Sequence, residues 1–333
     1  MRQFSNGVQI TLLGLLLSTP VLAQDWDMPR TPAGNPDMQG IWSNATQTPL
    51  ERPDDFGDIG YLTEEQAAAQ EQLWRQQIVN RAQPSDPGRD APDEGENVGG
   101  YNNFWIDRGT DVIEINGQYR TSIIVDPANG QIPYREDGRG LDLRSQLRAM
   151  RGVEPFDGPE LRPLGERCLM SFGSSSGPPM MPVMYNNNYQ IVQTDDYVMI
   201  LVEMVHDARI IRLDDSHHTD YPKWMGDSVG RWEGDTLVVE TVGLHPFQSR
   251  WGFTENARVI ERFDLLGPDK IRYHFTVEDE TVYARPWSGE IAMNRRPEES
   301  ERMYEYACHE GNYAFHGILA GARRLEIEAE LGN

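Results

Sequence analysis

Residues Lys270–Glu278 read KIRYHFTVE, a segment in which apolar and polar residues alternate without interruption. Because successive side chains of an extended strand point to opposite faces, one face of this segment is apolar and the other is polar. The apolar face consists of Ile271, Tyr273, Phe275 and Val277. The pattern predicts a strand of an antiparallel sheet with one buried face, and it places His274 in solvent.

Strand-like segments surround this one, and short turns connect several of them. Gly234-Asp235 and Gly267-Pro268-Asp269 are turn sequences, and Asn116-Gly117 predicts a hairpin because both positions tolerate a positive φ angle. The other predicted strands are residues 189–194, 197–213, 236–242, 257–265, 287–293 and 303–308. Short connections favour antiparallel neighbours, and closure of a sheet removes its exposed edges. We therefore predict a mostly β fold, an antiparallel meander that forms a barrel-like or strongly curved sheet.

Three helices are predicted outside this sheet. Thr63 is a typical N-cap for a helix at 63–80, a second helix falls at 141–151, and Asn312 lies near the N-cap of a C-terminal helix that ends near residue 331. Residues 83–100 are rich in Pro, Gly and acids, which is typical of a surface excursion. We divide the chain into a signal peptide at 1–23, an N-terminal arm at 24–100 and a main β domain with the C-terminal helix at 101–333.

The N-terminal residues predict export. Arg2 precedes an apolar stretch at 8–17, and Val21-Leu22-Ala23 has the small residues that precede cleavage of a secretory signal peptide. No later stretch is apolar enough to span a bilayer, so we expect a periplasmic or secreted protein without a membrane span.

Two cysteines, Cys168 and Cys308, follow the predicted signal peptide. In an oxidising compartment a single pair most simply forms a disulfide. Two buried thiols, or a metal site built on Cys308 and His309, are the alternatives.

The charge balance excludes one class of partner. The chain has 30 Lys and Arg residues against 53 Asp and Glu residues, a net charge of −23. A field of this sign repels phosphate backbones, so we expect no nucleic-acid partner.

Several motifs occur together along the chain. They are PRTPAGNPDMQGIWS at 29–43, IVDPANGQIPY at 124–134, GRWEGDTLVVETVGL at 230–244, VIERF at 259–263, FTVEDE at 275–280 and YEYACHEGNY at 304–313. In these motifs the chain resembles a family of exported bacterial proteins, and the resemblance implies no particular activity. Gly40-Ile41-Trp42, followed by antiparallel strands and a terminal helix, also resembles lipocalin-like and nitrobindin-like barrels.

Two segments carry ionisable residues that a sheet interior does not require. YVMILVEMVHDARIIRLD at 197–214 begins as an apolar strand and then becomes charged, and YEYACHEGNY at 304–313 ends a strand-like segment with Cys308, His309 and Glu310. Strand alternation places His206 on the drier face, either as a hydrogen-bonded core histidine or as the wall of a pocket. It places Glu203, Asp207 and Arg209 together on the other face, either as a structural ion pair or as groups that orient a substrate.

These residues define the predicted site. His206 is the candidate base, His309 or Tyr185 the acid, and Arg209 a charge stabiliser. The candidate substrate-binding residues are Glu203, Asp207, Asn187, Tyr189 and Glu310. No cofactor is expected; an open divalent-metal site assembled from His206, His309 and a carboxylate is the alternative.

Three functions are compatible with these patterns. We favour, without deciding that the protein is an enzyme, a lyase or hydrolase that acts on a small organic or carbohydrate molecule by histidine-centred acid/base chemistry. The alternative is a lipocalin-like binding protein for an apolar small molecule, without catalysis. A structural or envelope-assembly protein would have neither a pocket nor a residue cluster.

Overall fold

The computed structural model describes residues 26–83, 88, 90, 106–136, 151–171, 175–214, 217–245, 254–297 and 302–332. The predicted signal peptide, nearly all of the acidic segment at 83–100 and all but the last residue of the predicted helix at 141–151 lie outside these residues. Among the helices of the described ranges, none is long and apolar enough to cross a membrane.

The described residues form a closed β-barrel. They include thirteen strands: β1 (Gly40–Ser43), β2 (Tyr61–Leu62), β3 (Glu114–Ile115), β4 (Gln118–Arg120), β5 (Ile124–Asp126), β6 (Asn188–Gln193), β7 (Tyr197–Val202), β8 (Ala208–Arg212), β9 (Asp227–Glu233), β10 (Thr236–Val242), β11 (Arg258–Gly267), β12 (Lys270–Glu278) and β13 (Trp287–Arg295). Nine of them close in the order β1-β6-β7-β8-β9-β10-β11-β12-β13, since β1 also pairs with β13. The predicted barrel-like β fold is therefore confirmed.

β1 lies in the predicted N-terminal arm and completes the barrel. Trp42 pairs with Tyr189 of β6 on one side and with Arg295 of β13 on the other. β5 extends the sheet beside β13, and β2, β4 and β3 form a separate three-stranded sheet. The β3–β4 hairpin turns at Asn116 and Gly117, which have φ angles of 54° and 76°, as the sequence predicts.

The predicted strand at 197–213 is wrong in its middle. A turn of 3-10 helix at Met204–His206 separates β7 from β8, and Val205 and His206 have φ angles of 63° and 49°. Residues 303–308, also predicted as a strand, have no regular structure. The antiparallel prediction fails for one pair of strands, because the long connection at 213–226 returns the chain so that β8 and the unpredicted β9 run parallel.

Aromatic and branched side chains fill the barrel. The alternation of β12 is confirmed, since its apolar face is fully buried. The largest fully buried side chains include Trp42, Tyr189, Phe263, Tyr273, Phe275 and Trp287. Each such side chain contributes about 1.5–3 kcal/mol by leaving water. His274 on the opposite face was predicted in solvent but is half-buried, and burial lowers the pKa of its imidazole.

Residues 175–181, which we call the plug segment, bind to side chains from the barrel interior. The Tyr189 hydroxyl donates to the Ser175 carbonyl oxygen at 3.0 Å, and the Met180 N–H donates to the Tyr273 hydroxyl at 2.9 Å. Asn44 Nδ2 donates to the Met180 carbonyl oxygen at 3.2 Å. Since Met180 itself is fully buried, the plug segment adds to the filling of the barrel.

Two α-helices lie in the described residues. α1 (Glu64–Arg81) begins after Thr63, the N-cap that the sequence predicts, and Gln66 completes a capping box with it. α2 (Tyr313–Glu330) follows Asn312, whose side chain does not cap the helix but donates to the Glu166 carbonyl oxygen at 2.7 Å. α2 has no buried residue, so most of its surface faces solvent.

Candidate functional site

A cavity of about 1180 Å³ lies between the end of the barrel and the C-terminal part of the chain. We call residues 302–312 the C-terminal segment, and one wall consists of its residues 302, 304–308, 311 and 312 together with Phe315 and Ile318 of α2. The opposite wall contains Tyr185, Asn188 and Glu203. The two segments that the sequence analysis singled out therefore face each other across this space.

Covalent and polar contacts hold the C-terminal segment in place. The predicted disulfide between Cys168 and Cys308 is present, with the two Cα atoms 5.7 Å apart. His206 Nδ1 lies 3.2 Å from the Tyr306 carbonyl oxygen. The Tyr306 side chain is also a neighbour of Tyr185. One wall of the cavity is thus attached to the other.

Glu203 is the most buried carboxylate of the cavity lining, with 6% of its surface exposed. It follows β7 directly, where the chain leaves the strand for the turn before β8. Asn188 Nδ2 donates to Glu203 Oε2 at 2.6 Å, and the Glu203 N–H donates to the Asn188 carbonyl oxygen at 3.0 Å. Both backbone and side chain therefore fix this carboxylate at the edge of the barrel.

Tyr306 and Tyr185 are neighbours in the lining of the cavity, which they share with Glu203. Burial, reinforced by the neighbouring Tyr185, raises the pKa of the Tyr306 hydroxyl well above its ordinary value. Tyr306 therefore stays protonated at neutral pH and can donate a hydrogen bond. Together with the ring of Phe315, the two tyrosines give the cavity an aromatic surface.

The two predicted catalytic histidines do not belong to this lining. His206 is exposed, because the turn after β7 removes it from the strand face on which the sequence predicted a dry environment. His309 is exposed in the turn after Cys308, and no hydrogen bond joins it to His206 within the described residues. Glu310 is exposed in the same turn.

Glu203, Asp207 and Arg209 do not share a face, contrary to prediction. The turn between β7 and β8 changes the alternation, so Arg209 lies opposite Ile200 and points into the barrel. There its Nη1 donates to Glu261 Oε1 at 3.0 Å, and the same oxygen accepts from the Tyr273 hydroxyl at 2.7 Å. Arg209 is thus part of a buried structural network and does not reach the cavity lining.

Asp207, Asn187 and Tyr189 bind backbone segments near the cavity. Asp207 accepts from the Ser176 hydroxyl and from the Ser171 N–H, and burial raises the pKa of its carboxyl. Asn187 Nδ2 donates to the carbonyl oxygens of Asp107 at 2.7 Å and Val183 at 3.0 Å. Tyr189 holds the plug segment. Of the candidate catalytic and substrate-binding residues, the structure brings Tyr185 and Glu203 together in the cavity.

The lining residues that the sequence analysis missed include Asn188, Arg296, Arg302 and Tyr306. Tyr306 lies in the YEYACHEGNY motif but was assigned to a strand. Arg296 follows an apolar strand, a signal of the same kind as the charged end of the 197–214 segment.

No group of three or more His, Cys, Asp or Glu side chains in the described ranges is arranged to hold a metal ion. The cavity lining presents carboxylate, phenol, amide and guanidinium groups. No protein-family model matches the chain, and no curated protein matches it either.

Proposed function

We propose that this protein is an exported lyase or hydrolase that acts on a small organic or carbohydrate molecule in the cavity between the barrel end and the C-terminal segment. The observation that carries the proposal is the buried Glu203 carboxylate, which shares a cavity of about 1180 Å³ with the Tyr185–Tyr306 pair. In this proposal Glu203 replaces the histidines as the group that transfers a proton.

The shape and lining of the cavity support a small-molecule site. Its volume lies slightly above the range of about 300–1,000 Å³ typical of ligand pockets. Its lining combines four aromatic rings with nine Asp, Glu, Asn and Arg side chains, which suits a ring-bearing molecule that carries polar groups.

The positions of the polar groups support acid/base chemistry. Asn188 orients the Glu203 carboxylate, and an oriented carboxylate can accept or return a proton at one oxygen. Tyr306 stays protonated, so its hydroxyl can donate to an oxygen on which negative charge develops. Glu203 would remove or supply the proton while Tyr306, next to Tyr185, stabilises the charge.

The structure does not favour the lipocalin-like alternative. A carrier of that kind needs an apolar space inside the barrel, whereas here Trp42, Phe275 and Trp287 are fully buried there and Arg209 is paired with Glu261.

The location of the protein is proposed on separate grounds. The disulfide is consistent with an extracellular protein, and the predicted signal peptide supports a periplasmic or secreted location. Membership of the exported bacterial family rests on the motifs.

Turnover of a compound panel tests the proposal. The mature protein is incubated with glycosides, uronides, esters and β-hydroxy carbonyl compounds, and consumption is measured by mass spectrometry. We expect one class to be consumed, and we expect Glu203→Gln to slow its turnover by about 10²–10⁴-fold, the usual contribution of a general acid or base. Glu310→Gln is the matched control, because Glu310 is exposed and outside the lining; it should preserve the rate.

Two results would contradict the proposal. Equal rates for the wild type and Glu203→Gln would remove Glu203 from the chemistry. Consumption of no compound by the wild type would favour a binding function at the same cavity.

A further inference from the structure

Two arginines of the cavity differ from those on the barrel wall. On the wall, each of three neighbouring arginines has a carboxylate partner: Arg258 pairs with Glu240 and Glu278, Arg262 with Glu233, and Arg272 with Asp264. Arg296 and Arg302 line the cavity, and in the described part of the chain no ion pair or side-chain hydrogen bond engages either guanidinium. These two charges are therefore free to bind a ligand.

The backbone fixes the position of Arg296. It follows β13 directly, and its N–H donates to the Ile41 carbonyl oxygen of β1 at 2.9 Å. Its side chain is half-buried, whereas that of Arg302 is exposed. A ligand that enters the cavity would meet Arg302 in the exposed part and Arg296 nearer the barrel.

The lining also contains four carboxylates, and among the described residues none of them forms an ion pair with Arg296 or Arg302: Asp107, Glu166, Glu203 and Glu305. Glu166 is engaged by Arg162, whose Nε and Nη2 each lie 2.9 Å from one of its oxygens. Glu203 accepts from Asn188. Because the whole chain carries a net charge of −23, an anion is repelled at long range and needs local guanidinium groups to bind. Arginine is well suited to this because its planar fork matches a carboxylate.

We propose that the substrate is a ring-bearing carboxylate, such as an aromatic acid or a uronic acid, whose carboxylate binds Arg296 and Arg302. The ring lies against Tyr185, Tyr306 and Phe315, and this places the rest of the molecule beside Glu203. The inference deepens the proposed function and rests on it for the location of the site. It adds the chemical class and the two residues that select it.

Matched pairs of probes test the inference by calorimetry. They are 4-hydroxybenzoate with 4-hydroxybenzamide, and glucuronate with glucose. We expect at least one carboxylate to bind at least about tenfold more tightly than its neutral counterpart, since a charge-assisted contact is lost in the neutral one. Arg296→Gln and Arg302→Gln should each weaken that carboxylate by about tenfold. Arg285→Gln is the control, because Arg285 pairs with Asp126 outside the cavity and should not affect binding.

The outcomes separate this inference from the proposed function. Any of three results would overturn the inference: the carboxylate and its neutral partner bind equally, neither carboxylate binds, or the affinity is unchanged in both Arg296→Gln and Arg302→Gln. Arg302 is exposed, so Arg302→Gln keeps the test valid even if Arg296→Gln alters folding. Glu203→Gln should retain carboxylate binding. If this variant also keeps the wild-type turnover, Glu203 is not a catalytic residue, but the inference about the carboxylate stands.

Discussion

At the scale of single residues, the buried Arg209–Glu261 pair has the clearest energetic consequence. Both side chains are almost completely buried inside the barrel, at 2% and 0% exposure. Removing water from two charges costs several kcal/mol each, and their attraction offsets this cost only while both partners are present. The Tyr273 hydroxyl supplies a further hydrogen bond to Glu261.

Arg209→Met should therefore destabilise the protein by about 3–5 kcal/mol, because it leaves Glu261 charged and buried without its partner. The free energy of unfolding is measured by urea titration. Arg285→Gln removes an exposed pair with Asp126 and should cost less than about 1 kcal/mol. If Arg209→Met and Arg285→Gln lower the free energy of unfolding by the same small amount, the buried Arg209–Glu261 pair does not stabilise the fold as its burial indicates.

Asp227 provides a second prediction at this scale. It accepts hydrogen bonds from both Arg212 Nη atoms at 3.0 Å, from the Thr219 N–H at 3.1 Å and from Lys223. Burial alone would raise the pKa of its carboxyl, but these donors outweigh burial and lower it. Since the folded-state pKa is below the ordinary value of about 3.9, the charged carboxylate stabilises the fold above that pH.

Asp227→Asn should lower the free energy of unfolding by a constant amount above about pH 5, and the difference from wild type should shrink as the pH falls below about 4. Urea titrations between pH 2 and pH 7 measure it. Asp126→Asn, at an exposed ion pair, is the control and should change stability little at any pH. A difference that stays constant down to pH 2 would contradict the lowered pKa.

At the scale of elements, sequence reasoning succeeds where the alternation is regular and fails where a turn interrupts it. β12 and β10 both have the predicted bounds, and the side chains of β12 alternate to the end of the strand. Alternation could not predict the strand boundaries within the 197–214 segment. Its turn places Val205 and His206 at positive φ, a conformation that neither residue type indicates from sequence. The residues of the strand after that turn therefore lie on the face opposite to the one predicted.

The same limit applies to the candidate site. Glu203 and Tyr185 could be found because ionisable or aromatic residues stand at the ends of apolar segments. Arg296 could not be assigned to the site, because its role depends on the neighbouring C-terminal segment, which has no strand or helix pattern. Contacts between segments far apart in sequence are not encoded in local periodicity.

The C-terminal segment depends on the Cys168–Cys308 disulfide, which closes a loop with a sequence separation of 140. In the chain-entropy account, the double variant Cys168→Ser/Cys308→Ser should lose about 4–5 kcal/mol of unfolding free energy. Amide hydrogen exchange at residues 302–312 should also become faster in the double variant than in the wild type, relative to exchange in β11 and β12. Unchanged stability and unchanged exchange would show that the remaining contacts hold the segment without the disulfide.

At the scale of the whole molecule, the barrel is a support and the candidate site lies at its end. A closed sheet of nine strands has no exposed edge, and aromatic side chains and the plug segment fill its interior. Space for a ligand is found instead where the C-terminal segment covers the barrel end. This arrangement places Glu203 on a rigid strand end and the tyrosine pair across the two walls.

The most direct measurement is a crystal structure of the protein with the compound that it consumes or binds most tightly. We predict that the compound lies in the cavity, with a polar atom within hydrogen-bond distance of Glu203 and a ring against Tyr185 or Tyr306. A compound bound within the barrel, or elsewhere on the surface with the cavity empty, would contradict the assignment of the functional site.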